Sequence, residues 1–491
     1  MLGFQASQRL RPLWLSTHLR SHNSRHVTRN CCFTGVRRKL HACVVGSGPA
    51  GFYTVQHLLK NNKEIRVDLY ERLPVPFGLV RFGVAPDHPD VKNVINSFTQ
   101  TAHSERFTFC GNVMVGRDVM VSDLQEAYDA VVLSYGAEDD QLLRIPGEQL
   151  PGVYSARAIV GWYNGLPENK DLMPDLNVET AVVLGQGNVA LDLARILLTP
   201  VDLLRKTDIT GAALDAIAES KIKRIFVVGR RGPLQVAFTI KELREMVNLQ
   251  GVRTVLNPSD FEGIERVLLE NIPRPRRRLT ELLLKSTPQG SAGCVGHREW
   301  GLLFHRSPVQ ILPTADGERV GGIHFQLNKL EASGDTMKAV PTGNSEDMPC
   351  GLVLRSIGYR SLPLDPDVPF DKRRGVIPNN RGRVEGRAGL YCSGWVKRGP
   401  QGVIATTMND SFETGEAVLE DISNRSASPQ AGFESIRPKL ASRGEELQHS
   451  ISYVSTMLEL QFFCTWLLCN GIYHPSSHLN VSHRSSGGVL R

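Results

Sequence analysis

At 491 residues, 41% hydrophobic and 22% charged, the chain has an ordinary globular composition and exceeds what one core supports, so two domains plus appendages are expected. Its formal charge of +7 suggests nucleic acid, but residues 1–39 hold eight basic residues and no acid; 57 basic residues less those 8 leaves 49 against 50 acidic ones. The body is therefore electrically balanced, and with no aromatic platform or reading helix visible, nucleic acid is excluded as a partner.

Residues 1–39 carry Arg9, Arg11, Arg20, Arg25, Arg29, Arg37, Arg38 and Lys39 among Ser, Thr and apolar residues such as Leu10, Leu13, Trp14, Leu15 and Leu19. This pattern predicts a mitochondrial transit peptide; the alternative is a basic tail that stays attached, on a cytosolic protein. Next, Cys43-Val44-Val45-Gly46-Ser47-Gly48-Pro49-Ala50-Gly51 reads as a strand, a glycine turn and a helix start, the fingerprint of a dinucleotide site with Gly46, Gly48, Ala50 and Gly51 at the pyrophosphate. The strand Ile65 to Glu71 ends in a carboxylate placed to accept ribose hydroxyls, which suits FAD or NAD. Pro74 to Pro89 reads as an ordered loop without secondary structure, a type that is usually functional. Ala130 to Ala137 is predicted as a buried strand and Leu142 to Pro151 as the crossing into a second domain.

A second fingerprint follows at Ala181 to Ala190, with Gln186, Gly187, Asn188 and Val189 at the diphosphate and a helix from Ala190 to Leu198. Its partner strand, Ile225 to Gly232, ends in Arg230 and Arg231, a guanidinium pair suited to a 2′-phosphate and hence to NADP. A helix is predicted over Thr239 to Val247. The run Pro273-Arg274-Pro275-Arg276-Arg277-Arg278 is the densest positive stretch outside the leader, and with Arg244 it suits docking of an acidic partner. Gly351 to Tyr359 is predicted to close the second domain, Gly389 to Trp395 to be a strand leading to a loop, and Gly402 to Thr407 to start a helix. Nine cysteines show no CxxC and no metal-ligand spacing, so neither a thiol redox pair, an iron–sulfur cluster nor a metal site is expected. Beyond Glu445 the apolar patch Leu460 to Cys469 is about ten residues, short of the ~20 a bilayer span needs.

Gly46 to Gly51, Pro76-Phe77-Gly78-Leu79-Val80-Arg81-Phe82-Gly83-Val84-Ala85-Pro86-Asp87-His88-Pro89, Gly185 to Asp192 and Ser393-Gly394-Trp395-Val396-Lys397-Arg398-Gly399-Pro400 together resemble the adrenodoxin-type ferredoxin–NADP reductase family. The resemblance runs from about Cys43 to about Gly444; the tail after it departs from the family pattern. It implies an α/β protein of glutathione-reductase-like architecture with two Rossmann-like domains. A discontinuous FAD-binding domain (40–140 and 361–444) would enclose an inserted NADP-binding domain (141–360), between a transit peptide (1–39) and a divergent tail (445–491). It implies an enzyme that oxidises NADPH through FAD and hands single electrons to an acidic two-iron two-sulfur ferredoxin serving mitochondrial P450s, in the matrix or at most peripheral at the inner membrane.

By the same resemblance Leu79 and Val115 would lie against FAD, and Trp395 with the amides of Gly402, Val403 and Ile404 would close over its isoalloxazine end. Glu242 and Gly402 would approach NADP. His88 and Asp192 would approach the flavin and relay protons; the alternatives are a turn histidine and an ion pair of Asp192 with Arg195 on its own helix. Two other functional readings stay open: a flavin subunit of a larger complex, as in glutamate synthase small subunits, and a non-catalytic splice product unable to retain FAD.

Overall fold

Two runs of alternating strand and helix build the molecule, and most of their strands are apolar on both faces, as parallel strands covered by helices must be. The structure, a computed structural model, describes residues 40–264, 272–286, 298–333, 336–423, 430–442 and the backbone of 448–449. The expected transit peptide and nearly all of the tail after Glu445 lie outside the described residues.

In the first sheet His41–Val45 runs parallel to Arg66–Tyr70 on one side and Ala130–Leu133 on the other, and Phe107–Gly111 and Leu390–Cys392 extend it outward. Asn379–Asn380 and Arg383–Val384 finish one edge, and Gln448–His449 pairs antiparallel with the other. The second sheet is parallel throughout, in the order Val153–Ser155, Leu352–Arg355, Thr180–Leu184, Arg224–Val228, Arg298–Leu303, Val252–Leu256. Between its last two strands in the chain is inserted an antiparallel sheet of Arg306–Pro313, Val320–Ser333 and Thr336–Pro349. The chain leaves the first sheet through Asp139–Asp140 and returns through Tyr359–Arg360, and these two dipeptides pair as an antiparallel ribbon.

Several elements differ from expectation. The Pro74 to Pro89 segment is not free of secondary structure: it holds a short helix, Leu79–Phe82, and leads into another, Pro89–Lys92. Phe77 takes φ of +89° there, a strained backbone held by its amide on Ser47 O at 3.1 Å. The helix predicted from Ala190 begins at Asn188, directly after the turn. The closing strand stops at Arg355, because Gly358 takes φ of +109° and turns Tyr359 into the ribbon. The helix expected at Gly402 begins at Ile404, since Gly402 itself takes φ of +85°.

The helix Pro49–Asn61 buries Phe52, Val55 and Leu58 under the first sheet, where Phe52 stacks on Phe98 with centroids 4.9 Å apart. Behind that sheet the fully buried Asp68 carboxylate accepts from Tyr128 Oη (2.8 Å) and the Phe433 amide (3.0 Å) and pairs with His41 Nε2 (2.9 Å). Asp68 thus ties the first strand to the helix Phe433–Ala441. Burial pushes its pKa up, but the bonds from His41, Tyr128 and Phe433 outweigh that and hold it below the usual carboxylate value. A depressed carboxylate stabilises the fold above its unfolded value, near pH 4, and loses that contribution as pH falls through the lower native value. Asp68→Asn should therefore cost about 3 kcal/mol at pH 7, with a smaller gap to the parent at pH 3. Denaturant unfolding at both pH values checks this; a gap that does not shrink in acid would refute the role of the charge.

Candidate dinucleotide sites

Both glycine turns lie at the carboxyl ends of strands where the order of their sheet reverses, the position at which open α/β sheets form a crevice. The turns are built alike. Gly46 takes φ of +100°, and a Cβ there would lie 2.7 Å from Ser134 O on the neighbouring strand's exit; Gly185 takes φ of +120°, with Ser356 O 2.1 Å from its would-be Cβ. The third positions differ: a Cβ on Gly51 would lie 2.0 Å from Gly46 O, whereas the second turn accommodates the fully buried Ala190. At Gly48 and Gly187 a Cβ would meet nothing within 4 Å. These middle glycines are thus not required by protein packing, and each is the N-cap of a helix (Pro49–Asn61, Asn188–Leu198) without a side-chain cap. Open space before uncapped amides at a helix N-terminus is what a pyrophosphate needs, so the residues fit a dinucleotide in both places.

The strand ends separate the two sites. Glu71 is buried and its Oε2 accepts from the Ser47 amide (2.9 Å) and hydroxyl (2.6 Å), while Oε1 accepts from Leu73 N (3.0 Å). The carboxylate is fixed beside the turn with lone pairs left for hydroxyl donors. Arg230 and Arg231 are exposed, and the loop carrying them is held from behind. Asn328 Nδ2 donates to Arg230 O (3.1 Å) and to Ser307 Oγ (2.8 Å), His305 N donates to Arg231 O (3.2 Å), and Arg306 N donates to Gly229 O (3.0 Å). The antiparallel sheet is thus a backing plate for the arginine loop. Glu242, half-buried in the helix Ile240–Val247, accepts from the Thr239 hydroxyl at its N-cap; Gly402 lies in the segment before Ile404.

At the first site Gly394 takes φ of +74°, and a Cβ on it would lie 2.4 Å from Ala50 Cβ, so the turn bearing Trp395 packs directly on the first fingerprint. Trp395 stacks on Tyr359 of the ribbon, centroids 5.5 Å apart at 26°. Lys397, buried, pairs with Asp410 (3.0 Å) and Glu413 (2.7 Å), and Asp410 Oδ2 accepts from Gly394 N (2.6 Å). Gly402 and Val403 are exposed beyond that turn, and Ile404 is half-buried. The Leu79 helix lies beside the fingerprint, since a Cβ on Gly78 would sit 3.0 Å from Gly48 Cα. Val115 is buried in the apolar cluster with Tyr70, Leu133 and Val396.

His88 and Asp192 come together through Arg195, which the sequence offered as the partner of Asp192, and through Asp87 and Glu245, for which it gave no such role. Arg195, 3% exposed, bonds Asp87 at 2.5 and 2.9 Å, lies 2.8 Å from Asp192 and 3.4 Å from Glu245, and His88 Nε2 is 2.8 Å from Glu245 Oε2. Asp192 does pair with Arg195 on its own helix, within a cluster that also ties the Pro76–Pro89 segment to two helices of the second sheet. Burial raises the Asp192 pKa even against Arg195 and His88. Burial raises that of Asp87 too, but Arg195 outweighs it and the net shift is downward. Pairs spanning 108 and 157 residues leave no local signal.

The arginine run begins a helix, Arg274–Ser286. Arg244, Arg274 and Arg278 are exposed; Arg276 and Arg277 are half-buried, and Arg276 is turned inward, donating to Val236 O at 2.8 Å. Among the described residues no three metal-ligating side chains converge, and no helix is long and apolar enough to cross a membrane.

Residues 40–227 match the family described as pyridine nucleotide-disulphide oxidoreductase. Mitochondrial NADPH:adrenodoxin oxidoreductase of Mus musculus is 62% identical over 410 residues, covering 82% of this chain and 83% of that protein; the Drosophila melanogaster protein of the same name is 48% identical over 387 residues, covering 77% and 80%. The chain belongs to the NADPH:adrenodoxin oxidoreductase family. It is an oxidoreductase with a two-domain dinucleotide-binding fold, and its named relatives are mitochondrial. Among solved structures, Mycobacterium tuberculosis FprA in complex with NADPH is similar at a TM-score of 0.79 and 40% identity, covering 84% of this chain and 92% of that one.

For a member of this family the two glycine classes should separate cleanly. Gly48→Ala is expected to fold and to lose bound flavin, since its methyl group enters only the open space before the helix. Gly51→Ala is expected to lose stability as well, by about 3 kcal/mol, as an overpacked core does. Thermal midpoint and flavin absorbance of the purified variants check this; two variants with the same thermal midpoint would overturn the distinction.

Proposed function

We propose that this chain oxidises NADPH at its second crevice and passes electrons, through FAD held at its first, to the acidic two-iron two-sulfur ferredoxin adrenodoxin in the mitochondrial matrix, supplying mitochondrial P450s. The observation that carries the reading is the pair of open glycine crevices whose neighbouring strands end in opposite charge, Glu71 in one and Arg230–Arg231 in the other. Residues 40–140 and 361–444 make up the FAD-binding domain in this reading, and 141–360 the NADP-binding domain.

At the first crevice Gly46, Gly48, Ala50 and Gly51 bring the helix amides to the FAD diphosphate and Glu71 accepts from ribose hydroxyls. Leu79 and Val115 flank the cofactor, and Trp395, Gly402, Val403 and Ile404 cover its ring end. At the second, Gln186, Gly187, Asn188 and Val189 present the NADP diphosphate site, Arg230 and Arg231 grip the 2′-phosphate bidentately, and Glu242 and Gly402 lie toward the nucleotide. The flavin, when bound, supplies the exchange between a two-electron hydride donor and a one-electron acceptor. The protein's own share is to orient the two rings and exclude water.

The Arg195 cluster contributes to both tasks. Its cation offsets the burial of both carboxylates, outweighing it at Asp87 and only partly countering it at Asp192, and it fixes the segment bearing His88 beside the second domain. His88, on Glu245, and Asp192, whose raised pKa brings it closer to neutral pH, are the groups able to hold or move a proton there. Exposed Arg244, Arg274 and Arg278 steer the acidic acceptor.

The purified holoenzyme should be yellow, bleach on NADPH and recolour with added ferredoxin at a rate that falls with ionic strength. Replacing Arg230 and Arg231 by Ala should weaken NADPH by about 100-fold, from two charge-assisted contacts at roughly 1.5 kcal/mol each, and NADH far less. Steady-state KM values for both nucleotides decide; equal losses would refute the phosphate grip.

A further inference from the structure

The arginine run does not act as one patch. In the helix Arg274–Ser286 the buried residues are Leu279, Thr280 and Leu283, and position 276 lies three, four and seven residues before them, on the same face. Arg276 is accordingly half-buried, while Arg274 and Arg278 are exposed. Its Nη1 donates to Val236 O at 2.8 Å, and Arg231 Nη2 donates to Gln235 O at 3.5 Å. Two cations from different elements thus rest on consecutive carbonyls of the turn that follows the strand Arg224–Val228. Neither they nor Arg230 form an ion pair with a carboxylate among the described residues. Burial and the Arg231 charge both push the Arg276 pKa down, the mark of like charges gathered without a counterion.

We infer that Arg276 is a third ligand of the nucleotide 2′-phosphate, beside Arg230 and Arg231, and is not part of the acceptor-docking face. The inference rests on the reading of this loop as the 2′-phosphate site. A phosphate monoester carries close to two negative charges, which two guanidinium groups balance, but its three terminal oxygens offer more acceptor sites than two bidentate forks fill, and a third guanidinium can use them. The arginine run is then divided by helical phase, with Arg276 facing the nucleotide and Arg274 and Arg278 facing the acceptor.

Calorimetric titration of the oxidised holoenzyme with 2′,5′-ADP and with 5′-ADP tests this without turnover. Arg276→Gln should weaken 2′,5′-ADP about tenfold, the value of one charge-assisted contact, and leave 5′-ADP unchanged; Arg276→Lys, which keeps the charge but not the fork, should fall between. Arg278→Gln should leave both titrations unchanged and slow ferredoxin reduction at low salt. Unchanged 2′,5′-ADP affinity in a folded Arg276→Gln protein, with slowed ferredoxin reduction, would overturn the inference and return Arg276 to the docking face. Arg230→Gln serves as the reference: if it too binds 2′,5′-ADP normally, the 2′-phosphate reading of the loop fails and the inference with it.

Discussion

Everything that the two crevices do depends on backbone approaching backbone more closely than any side chain permits. Gly51 reaches Gly46 O, Gly46 reaches Ser134 O and Gly185 reaches Ser356 O at separations where a Cβ would collide. The Gly51 contact draws the first turn of its helix down onto its strand, the buried Ala190 takes the corresponding place in the second, and in both turns the helix amides open into the crevice instead of being capped. The conformational cost of glycine in the chain is offset by packing that leaves the middle glycine free for a ligand.

The second constraint is mutual orientation. A dipeptide ribbon crosses twice between the sheets, and two residues a side are too few to fix an angle. The Arg195 cluster supplies what the ribbon lacks: one buried guanidinium facing Asp87, Asp192 and Glu245, with His88 on the last of these. Such a cluster is costly to desolvate and directional, so it favours one arrangement over its neighbours more than it adds stability. Trp395 on Tyr359 adds an aromatic stack across the same ribbon.

Local chemistry was legible in the sequence wherever a short run of residues does one job. The glycine turns, the acid at Glu71, the guanidinium pair at Arg230–Arg231 and the parallel strands all follow from patterns within fifty residues or so of one another. Asp192 with Arg195, three apart on one helix, was legible as a pair; Asp87 and Glu245, which complete the cluster, were not, because the fold alone brings them in. Asn328 behind Arg230 was equally silent, being one polar residue in a strand 98 positions away. The Pro74 to Pro89 segment read as lacking secondary structure because its proline and glycine content masks one helix of four residues and the start of a second. The run from Arg274 to Arg278 read as one patch because charge density ignores helical phase.

Electrostatic balance explains why phase matters. With 49 basic against 50 acidic residues after the leader, the body has no net field to steer a partner, and any steering must come from local segregation of charge. The helix Ile240–Val247 achieves this within eight residues: Glu245 turns inward to the Arg195 cluster, Glu242 is bound to the Thr239 cap, and Arg244 alone of the three points to solvent. Carboxylates are spent inside and arginines are left outside, so the same helix that closes the interior cluster contributes positive charge to the exterior. On the proposed reading, the Arg195 cluster and the acceptor-docking face then share this one helix, and a change of helical phase there would turn an acid onto that face and leave the cluster without Glu245.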